Sequence, residues 1–302
     1  EKEFPKPGSV CVKLNMGEKG NDRALKPGFV KDVVDVLKMC GHNPFLFDSP
    51  AADDELARGK PASYLRLARE RGFTDEAVGC PVVVNDTDVP AKSRYALKGG
   101  DLVYGLCKTP IEADYVLVLS HVTGHSYLGF GGSIKNIGLG GVDQETKNMM
   151  HYGGMPVGLA DENSSATTHR LKCDMCGKCK DACPTNNISW KKGEKPVFGY
   201  TCIGCSNCIE TCPQHAIQPN VTTFDSLVAE AAHLCLSKYK KAYFVNVMRD
   251  IATNSDCEKE SGELLMDDVG IVIGSDIVAV EKSTYDIPVS YTHLTLPTKR
   301  IV

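Results

Sequence analysis

Two groups of cysteines carry the clearest chemistry in this 302-residue sequence. Each group has the spacing C-x2-C-x2-C-x3-C and ends in proline, and the second group repeats the first 29 residues further along the chain. The first group is Cys173, Cys176, Cys179 and Cys183 with Pro184, and the second is Cys202, Cys205, Cys208 and Cys212 with Pro213. Four thiolates in such a run bind [4Fe–4S] clusters, so the repeat predicts two equivalent cluster sites.

The fourth cysteine of each group is predicted to cross to the other site. In two-cluster bacterial ferredoxins, the cysteine before the proline binds the cluster of the opposite run. The predicted ligand sets are therefore Cys173, Cys176, Cys179 and Cys212 for one cluster, and Cys202, Cys205, Cys208 and Cys183 for the other. Zinc is the competing interpretation, since C-x2-C pairs also bind zinc, but a zinc site would leave the other cysteines and both Cys-Pro endings without a role.

The six remaining cysteines are scattered singly, as Cys11, Cys40, Cys80, Cys107, Cys235 and Cys257. Two of them lie in apolar strand or helix patterns, where a free cysteine behaves as a small hydrophobe. Cys257 follows Asp256 in a polar loop and is the one of the six whose reactivity we would test. Grouped cysteines indicate metal ligands rather than disulfides, so we expect a reducing, cytoplasmic location. The chain starts at Glu1 rather than Met, and this expectation therefore rests on the cysteines alone.

A second set of polar residues follows a buried strand pattern at 115–119. His121 and His125 come at its end, and a glycine-rich stretch at 129–141, expected to be a loop, carries Lys135 and Asn136. In α/β sheets, ligands bind outside the carboxyl ends of strands, and glycines let backbone N–H groups approach an anion. The stretch is neither a Walker A motif nor G-x-G-x-x-G. Two interpretations stay open: a small-anion pocket, or a tight turn with solvated histidines.

Alternating strand and helix patterns must position these residues. Strand patterns at 9–16, 45–47, 82–84 and 115–119 alternate with helix patterns that begin at Pro27 and Pro61. Behind the cysteines, a helix pattern at 224–235 and strand patterns at 242–247 and 270–273 resume the alternation. This rhythm predicts an α/β sheet. The trailing part is too short for a sheet of its own, so we expect one α/β sheet domain interrupted by a small α+β ferredoxin-like module.

The predicted boundaries follow from this organisation. The first part of the α/β domain covers 1–165, the ferredoxin-like module with two [4Fe–4S] clusters covers 166–220, and the second part of the α/β domain covers 221–287. The remainder, 288–302, ends in VSYTHLTLPTKRIV. These letters resemble the translated sequencing-adapter tails of chains predicted from metagenomic reads, so we expect this tail to be foreign to the native protein.

Composition excludes several classes of function. Hydrophobic residues make up 42% and charged residues 24% of the chain, a mixture typical of a globular protein. The formal charge is −4, with 34 basic and 38 acidic residues, so the chain as a whole lacks the basic balance of a nucleic-acid binder. No apolar run approaches the roughly 20 residues of a membrane-spanning helix.

Four segments of the sequence resemble one known family. KLNMGEKGN, ADYVLVLSHVTGH, GFGGSIKNIGLGG and GIVIGSDIVAVEKSTYD look like the uncharacterised iron–sulfur-centre proteins of domain-of-unknown-function family 362, from about Val10 to Asp286. The resemblance implies one pocket lined by Lys13, Glu18, His121, His125, Lys135, Asn136, Lys147, His151 and Asp276. The family often has histidine where this chain has Asn15, which argues against a metal ligand there. The family lacks an assigned reaction.

The leading hypothesis is an iron–sulfur redox protein, in which the module exchanges electrons with the pocket of the α/β domain. We expect an anionic small molecule in that pocket and a redox partner that the sequence does not identify; if the protein is an enzyme, it is an oxidoreductase. One alternative is an electron-carrier subunit whose α/β domain only docks a partner. Another is a pair of structural clusters beside non-redox chemistry. Binding of a small molecule in the pocket would favour the first hypothesis over the second. Clusters that are not oxidised and reduced in turn would favour the third.

Overall fold

Six strands form one mixed sheet in the computed structural model of the chain. The structure describes residues 3–52, 58–97, 100–125, 127–154, 166–168, 172–199, 202, 205–219 and 221–291. Strands from both sides of the cysteine-rich segment join this sheet, so one α/β unit contains the segment as an insertion. The predicted α/β fold class is confirmed.

The elements before the insertion alternate strands and helices, as the periodicity predicts. Pro27 begins the first helix, and Gly41, just after its end, adopts the left-handed φ of +84°. Side-chain oxygens of Thr74 and Asp143 accept hydrogen bonds from the first turns of two later helices. In chain order, the elements are β1 (Ser9–Lys13), α1 (Pro27–Met39), β2 (Asn43–Asp48), α2 (Pro61–Glu70), α3 (Asp75–Val78), β3 (Val82–Val84), β4 (Asp88–Leu97), β5 (Gly100–Cys107), α4 (Lys108–Glu112), β6 (Tyr115–His121), β7 (Thr123–His125), β8 (Gly129–Gly131), α5 (Ser133–Gly140) and α6 (Gln144–His151).

The insertion contains two copies of a strand–helix–strand unit. Its elements are β9 (Ala166–Thr168), α7 (Lys178–Asp181), β10 (Ile188–Ser189), β11 (Val197–Phe198), α8 (Asn207–Thr211) and β12 (Ile217–Pro219). The outer strands β9 and β12 pair with each other, and so do the inner strands β10 and β11, both antiparallel. The two units therefore interlock rather than lie side by side as separate hairpins.

Four elements follow the insertion, and they are α9 (Phe224–Lys238), β13 (Ala242–Met248), β14 (Gly270–Gly274) and α10 (Ile277–Tyr291). The sequence patterns predict the first three, but they miss α10. This helix continues into the segment that we expect to be foreign, and 292–302 lie outside the described residues. The foreign origin of the tail therefore stays a prediction.

The parallel order of the strands brings polar residues together at the carboxyl ends of the strands. The order is β14-β13-β6-β1-β2-β3, and all neighbours are parallel except the edge pair of β13 with β14. Val12 of β1 lies opposite Leu117 of β6 and Leu46 of β2. Because these strands run in the same direction, Lys13 and Asp48 both lie at the carboxyl end of the sheet.

Both faces of the sheet are covered by apolar side chains. Alternate residues of β1 point to opposite sides, so that Val10 and Val12 pack with α1 and α2 while Cys11 packs with α5 and α9. The second face is also covered by the β4–β5 hairpin, which the sequence patterns do not predict. This three-layer arrangement explains the strand runs that are apolar on both faces.

The glycine-rich stretch, expected to be a loop, forms the short strand β8 and helix α5, which carries Lys135 and Asn136, and the expectation is therefore wrong. The reason lies in helix packing, because α5 crosses α9 at very short range. A Cβ atom on Gly138 would lie 2.3 Å from the backbone oxygen of Val228. Gly138 and Gly141 therefore permit close contact with α9, since a Cβ on Gly141 would lie 2.9 Å from Sγ of Cys235. Gly129 does adopt the positive φ that the sequence suggests, at +72°.

The two ends of the insertion meet at a narrow neck. The backbone N–H of Val221 donates to the carbonyl of Gly153 at 3.0 Å, and a Cβ on Gly154 would lie 2.8 Å from Cβ of Val221. The insertion thus leaves and re-enters the α/β unit at one point.

Among the described helices, none has the length and apolar composition that a membrane crossing requires.

Candidate functional site

A cleft of about 500 Å³ opens at the carboxyl edge of the sheet. Six of the nine predicted pocket residues contribute to its lining: Lys13, His125, Lys135, Asn136, Lys147 and His151. They come from β1, β7, α5 and α6, so four separate elements converge on this cleft. Its size suits a small molecule of metabolite dimensions.

Lys13 is the most deeply buried charge of the cleft, with 1% of its surface exposed. Its Nζ donates to Oδ1 of Asp48 at 2.7 Å and to Oδ1 of Asn136 at 2.8 Å. Asp48 also accepts from the hydroxyl of Tyr64 at 2.6 Å. A buried charge requires such a hydrogen-bonded partner, so Lys13 and Asp48 form a fixed pair that orients Asn136.

Lys147 reaches the cleft from α6 and contacts neutral oxygens. Its Nζ donates to Oγ of Ser49 at 2.7 Å and to the carbonyl of Pro50. Burial lowers the pKa of Lys147 from its usual value, because the ammonium group loses its hydration, although the nearby Cys107 and Asp48 act in the opposite direction. An anion in the cleft would give this ammonium group a counter-charge.

Lys135 and Cys257 form the third polar contact of the lining. Nζ of Lys135 donates to Oγ of Ser255 at 2.6 Å and lies 3.7 Å from Sγ of Cys257, while Nδ2 of Asn15 donates to the same sulfur at 3.0 Å. Burial raises the pKa of the Cys257 thiol, but the positive charges of Lys135 and Arg58 outweigh it, and the pKa falls to about 7. Cys257 is half-buried and faces the cleft. Because its pKa is lowered, this thiol has thiolate character near neutral pH.

Two more predicted pocket residues do not line the cleft themselves but contact residues that do. Nδ1 of His121 is 2.9 Å from Oδ1 of Asp256, and its Nε2 is 2.6 Å from the carbonyl of Arg249. Burial lowers the pKa of His121, but the carboxylate of Asp256 outweighs burial and raises it overall. Glu18 likewise accepts from Nε of Arg58 at 3.1 Å. Asp256 and Arg58 line the cleft, so His121 and Glu18 hold lining residues in position.

Asp276 is the predicted pocket residue that lies elsewhere. It is exposed, precedes α10 and accepts a hydrogen bond from the backbone N–H of Ala279 at 2.8 Å. This contact caps the start of the helix. The residue does not belong to the lining of the cleft.

The two histidines of the lining have different surroundings. Nδ1 of His125 accepts hydrogen bonds from the backbone N–H groups of Tyr127 and Leu128, both at 3.1 Å, so its neutral ring carries the proton on Nε2. The ring of His151 stacks on Phe224 with centroids 4.5 Å apart. Contacts therefore hold both rings in place. The interpretation of freely solvated histidines concerned His121 and His125, and the hydrogen bonds of these two rings argue against it.

A small, partly open cavity of the insertion, which we name the cysteine cavity, is lined by four of the eight grouped cysteines: Cys183, Cys202, Cys205 and Cys208. Burial, the largest cause, and the neighbouring thiols of Cys202 and Cys205 together raise the pKa of Cys208 to about 12. The fourth cysteine of the first group thus lies with three of the second. In the part of the chain that the structure describes, no three Cys, His, Asp or Glu side chains converge closely enough to share one metal ion.

The other four grouped cysteines are linked by a contact between the two groups. Nε2 of Gln214, two residues after Cys212, lies 3.4 Å from Oδ2 of Asp174, next to Cys173. Cys179 is buried, whereas Cys176 is exposed. Burial raises the pKa of the Cys179 thiol, and the neighbouring Cys173 and Cys176 raise it further. The end of the second group therefore lies beside the start of the first.

The backbone repeats along with the cysteines. Gly177 and Ser206 share a left-handed φ, at +77° and +64°, and Asn186 and His215 do so at +51° and +47°. Each pair is separated by the 29 residues of the sequence repeat. Sγ of Cys183 and Sγ of Cys212 each accept a backbone N–H four residues later, both at 3.3 Å. The two halves are thus structural equivalents.

Cys202 connects the two regions, because it lines both the cysteine cavity and the large cleft. Sequence reasoning did not anticipate this contact, and it also missed Asp48, Arg58 and Asp256 as lining residues. Asp48 ends a predicted strand next to Lys13, so the rule about carboxyl ends could have identified it. Arg58 and Asp256 lie in irregular segments and carry no comparable signal.

Comparisons with known proteins agree with this architecture. The family described as "Domain of unknown function (DUF362)" matches residues 10–286. A stretch of 52 residues, 16% of this chain, is 38% identical to an uncharacterized ferredoxin of Methanocaldococcus jannaschii and covers 68% of that protein.

Two solved structures align with most of the chain. A crystal structure of a Thermotoga maritima protein has a TM-score of 0.52 at 10% identity, over 96% of this chain and 56% of that one. The lactate racemase apoprotein of Thermoanaerobacterium thermosaccharolyticum has a TM-score of 0.47 at 11% identity, over 95% and 49%. The chain therefore spans about half the length of these structures, and the first likeness concerns the fold alone.

Proposed function

The chain belongs to the domain-of-unknown-function family DUF362, and we propose that it is an iron–sulfur redox protein that exchanges electrons with a small anionic molecule bound in the cleft. One observation carries the proposal: Cys202 borders both the cysteine cavity and the cleft. A cluster held by Cys202 would adjoin a molecule bound at the edge of the sheet. The ferredoxin relative supports an iron–sulfur role for the insertion.

The cysteines fit two [4Fe–4S] clusters with crossed ligands. One set is Cys202, Cys205, Cys208 and Cys183, which line the same cavity. A cluster distributes its four thiolates over four irons, so ligands that line one cavity suit it. The second set is Cys173, Cys176, Cys179 and Cys212, supported by the Gln214–Asp174 contact and by the repeated backbone. The bound clusters would supply one-electron steps, as in ferredoxins.

The charges of the cleft favour an anionic ligand. Lys13 and Arg58 each contact a carboxylate, at 2.7 Å and 3.1 Å. Lys135 and Lys147 instead contact hydroxyl, carbonyl and thiol groups. A carboxylate or phosphate would give Lys147 a counter-charge and would add to the partial thiolate charge of Cys257 beside Lys135. The Nε2–H of His125 adds a ring donor at the same lining.

Cluster content tests the first half of the proposal. Anaerobically reconstituted protein should contain about eight irons and eight acid-labile sulfides per chain. Its EPR spectrum after reduction should show paramagnetic four-iron clusters. Stoichiometric zinc without labile sulfide would contradict the proposal, and clusters that cannot be reduced and reoxidised would favour a structural role.

Ligand binding tests the second half. A panel of carboxylates, phosphate monoesters and nucleotides should include a compound that shifts the EPR signal or the potential of one cluster. Lys147→Met should weaken its binding at least about tenfold, the effect of losing about 1.4 kcal/mol. Asp276→Asn, outside the cleft, is the matched control and should bind normally. If no compound of the panel binds to a protein with full clusters, the α/β domain acts as a docking unit instead.

A further inference from the structure

The two halves of the insertion share a backbone but differ in charge. Segment 172–195, around the first cysteine group, contains six lysines and three acidic residues. Segment 202–219, around the second group, contains no lysine or arginine and a single Glu210. Equivalent backbones do not require this difference, so it indicates different surroundings for the two halves.

Four of these lysines lie within three residues along the chain of a contact between Gly177 and Trp190. Lys178 and Lys180 are exposed on α7, directly after Gly177. The ring of Trp190 packs against Gly177, where a Cβ would lie 2.8 Å from the ring, and the exposed Lys191 and Lys192 follow it. Two segments of the chain thus bring their lysines to one surface, which we name the lysine face: Lys178, Lys180, Lys191 and Lys192.

Exposure of the cysteines follows the same division. Cys176 is exposed within the lysine face, and its neighbour Met175 is 36% exposed. In the second group, Cys205 and Cys208 are buried, and Cys202 borders the internal cleft. Electron transfer between proteins requires a short path from one redox centre to the other. The first site offers that path to solvent, and the second offers it to the cleft.

We propose that the lysine face is the docking surface for a small acidic electron-carrier protein. This inference rests on the proposed function, because it needs a cluster at the first site. A basic patch around an exposed redox centre attracts an acidic carrier and orients it during the encounter. In each encounter one electron passes between the carrier and the first cluster, so that one is oxidised and the other reduced by one electron. Electrons then pass between the first cluster and the second, which adjoins the cleft.

Electron exchange with carriers of opposite charge tests the inference. The photoreduced protein would be mixed anaerobically with an acidic flavodoxin or with a basic cytochrome c, and oxidation followed by stopped-flow absorbance. We expect the rate with flavodoxin to fall by about tenfold or more between low and high ionic strength, since salt screens the attraction. The rate with cytochrome c should be lower than that with flavodoxin at low salt.

Charge reversal locates the surface. The quadruple variant Lys178→Glu, Lys180→Glu, Lys191→Glu and Lys192→Glu should lose about tenfold or more of the flavodoxin rate and gain rate with cytochrome c. Arginine at the same four positions should keep both rates. The same reversal at four exposed lysines of the α/β unit controls for net charge, namely Lys6, Lys60, Lys108 and Lys238.

The outcomes separate the two proposals. If iron and labile sulfide are absent, the proposed function fails. If the clusters are present but the reversed and arginine variants react with flavodoxin at rates within twofold of each other, the docking surface is wrong. Binding of a single-stranded RNA oligonucleotide at the lysine face with higher affinity than flavodoxin would also overturn it, in favour of a nucleic-acid surface.

Discussion

Three lysines of the cleft differ in role because they contact different groups. Lys13 contacts the carboxylate of Asp48 and the amide of Asn136, which fixes it in place. Lys147 contacts neutral oxygens, and Lys135 contacts a hydroxyl and the sulfur of Cys257. Residue type alone would make the three equivalent. Their partners distinguish one lysine that is paired with a carboxylate from two lysines that contact neutral oxygens or a thiol at the lining of the cleft.

We expect Cys257 to be the most reactive thiol of the protein with bound clusters. With a pKa of about 7, about half of it is thiolate at pH 7, against about one in a hundred for a thiol at the ordinary value of 9.0. Lys135→Met removes the nearest positive charge, so the pKa should rise. Alkylation by iodoacetamide at pH 7 should then slow several-fold, with its half-maximal rate at a higher pH. Cys257→Ser provides the blank, and an unchanged pH profile in Lys135→Met would contradict the assignment.

At the scale of elements, the start of α5 depends on a carboxyl group from α10. Glu281 accepts a hydrogen bond from the backbone N–H of Ile134, and a Cβ on Gly132 would lie 2.4 Å from its Oε2. Burial is the main cause that raises the pKa of Glu281 to about 7, and the contact with Ile134 opposes it. The helix that carries Lys135 and Asn136 is therefore anchored by a group that titrates near neutral pH.

This titration should make folding stability depend on pH. The folded-state pKa of Glu281 is raised above the ordinary 4.5, so its contribution is complete below pH 4.5 and is lost as the pH rises through 7. Glu281→Gln keeps an acceptor for Ile134 and removes the titration. We expect its fall in Tm between about pH 5.5 and 8.5 to be smaller than that of the wild type by several degrees, since 1 kcal/mol corresponds to about 2–4 °C. The exposed Glu263→Gln is the control; equal falls in all three proteins would refute the role of Glu281.

The crossed ligand sets give a second prediction at this scale. Trp190, the only tryptophan of the chain, packs on Gly177 beside the first site, so its fluorescence should be quenched when that site holds a cluster. Cys183→Ala should lose about four irons and keep the quenching, because its cavity contains the second group. Cys212→Ala is the matched variant and should lose the quenching. The reverse pattern would mean that each group binds its own cluster without crossing.

For the whole molecule, the neck at Gly153 and Val221 makes the insertion separable from the α/β unit. The six strands of the sheet lie outside it, and β13 pairs directly with β6 across the break in sequence. The chain therefore leaves the α/β unit for the cysteine-rich module and returns without breaking the order of the sheet. Such an arrangement allows the two parts to fold around separate cores.

We expect the α/β unit to fold without the insertion. Replacing 155–220 by two glycines should be tolerated, since the flanking backbones already form a hydrogen bond of 3.0 Å. The shortened protein should keep its α/β circular dichroism and a cooperative thermal transition, and it should lose all iron. Aggregation of the shortened protein, with the full chain soluble under the same conditions, would indicate that the α/β unit needs the insertion for folding.

The sequence by itself predicted the features that depend on neighbours along the chain. Ligand spacing within each cysteine group is local, and so is the apolar periodicity that predicts the α/β class, the early helices and the six strands of the sheet. The predictions failed in segments with weak periodicity. The β4–β5 hairpin and α10 were missed, and the glycines of α5 suggested a loop. Their conformations are set by packing, as the approach of Gly138 to Val228 illustrates.

Only the tertiary structure decided which of these residues meet. Lys13 and Asn136 are 123 positions apart, and Asn15 and Cys257 are 242 apart, yet each pair forms a hydrogen bond. The parallel order of the strands and the return of the chain after the insertion create these contacts. Local periodicity predicts neither of them. The same long-range packing separates His121 and Asp276 from the lining of the cleft and places Cys202 between the cysteine cavity and the cleft. Composition and spacing identify the reactive groups, whereas the path of the backbone determines which of them lie within bonding distance.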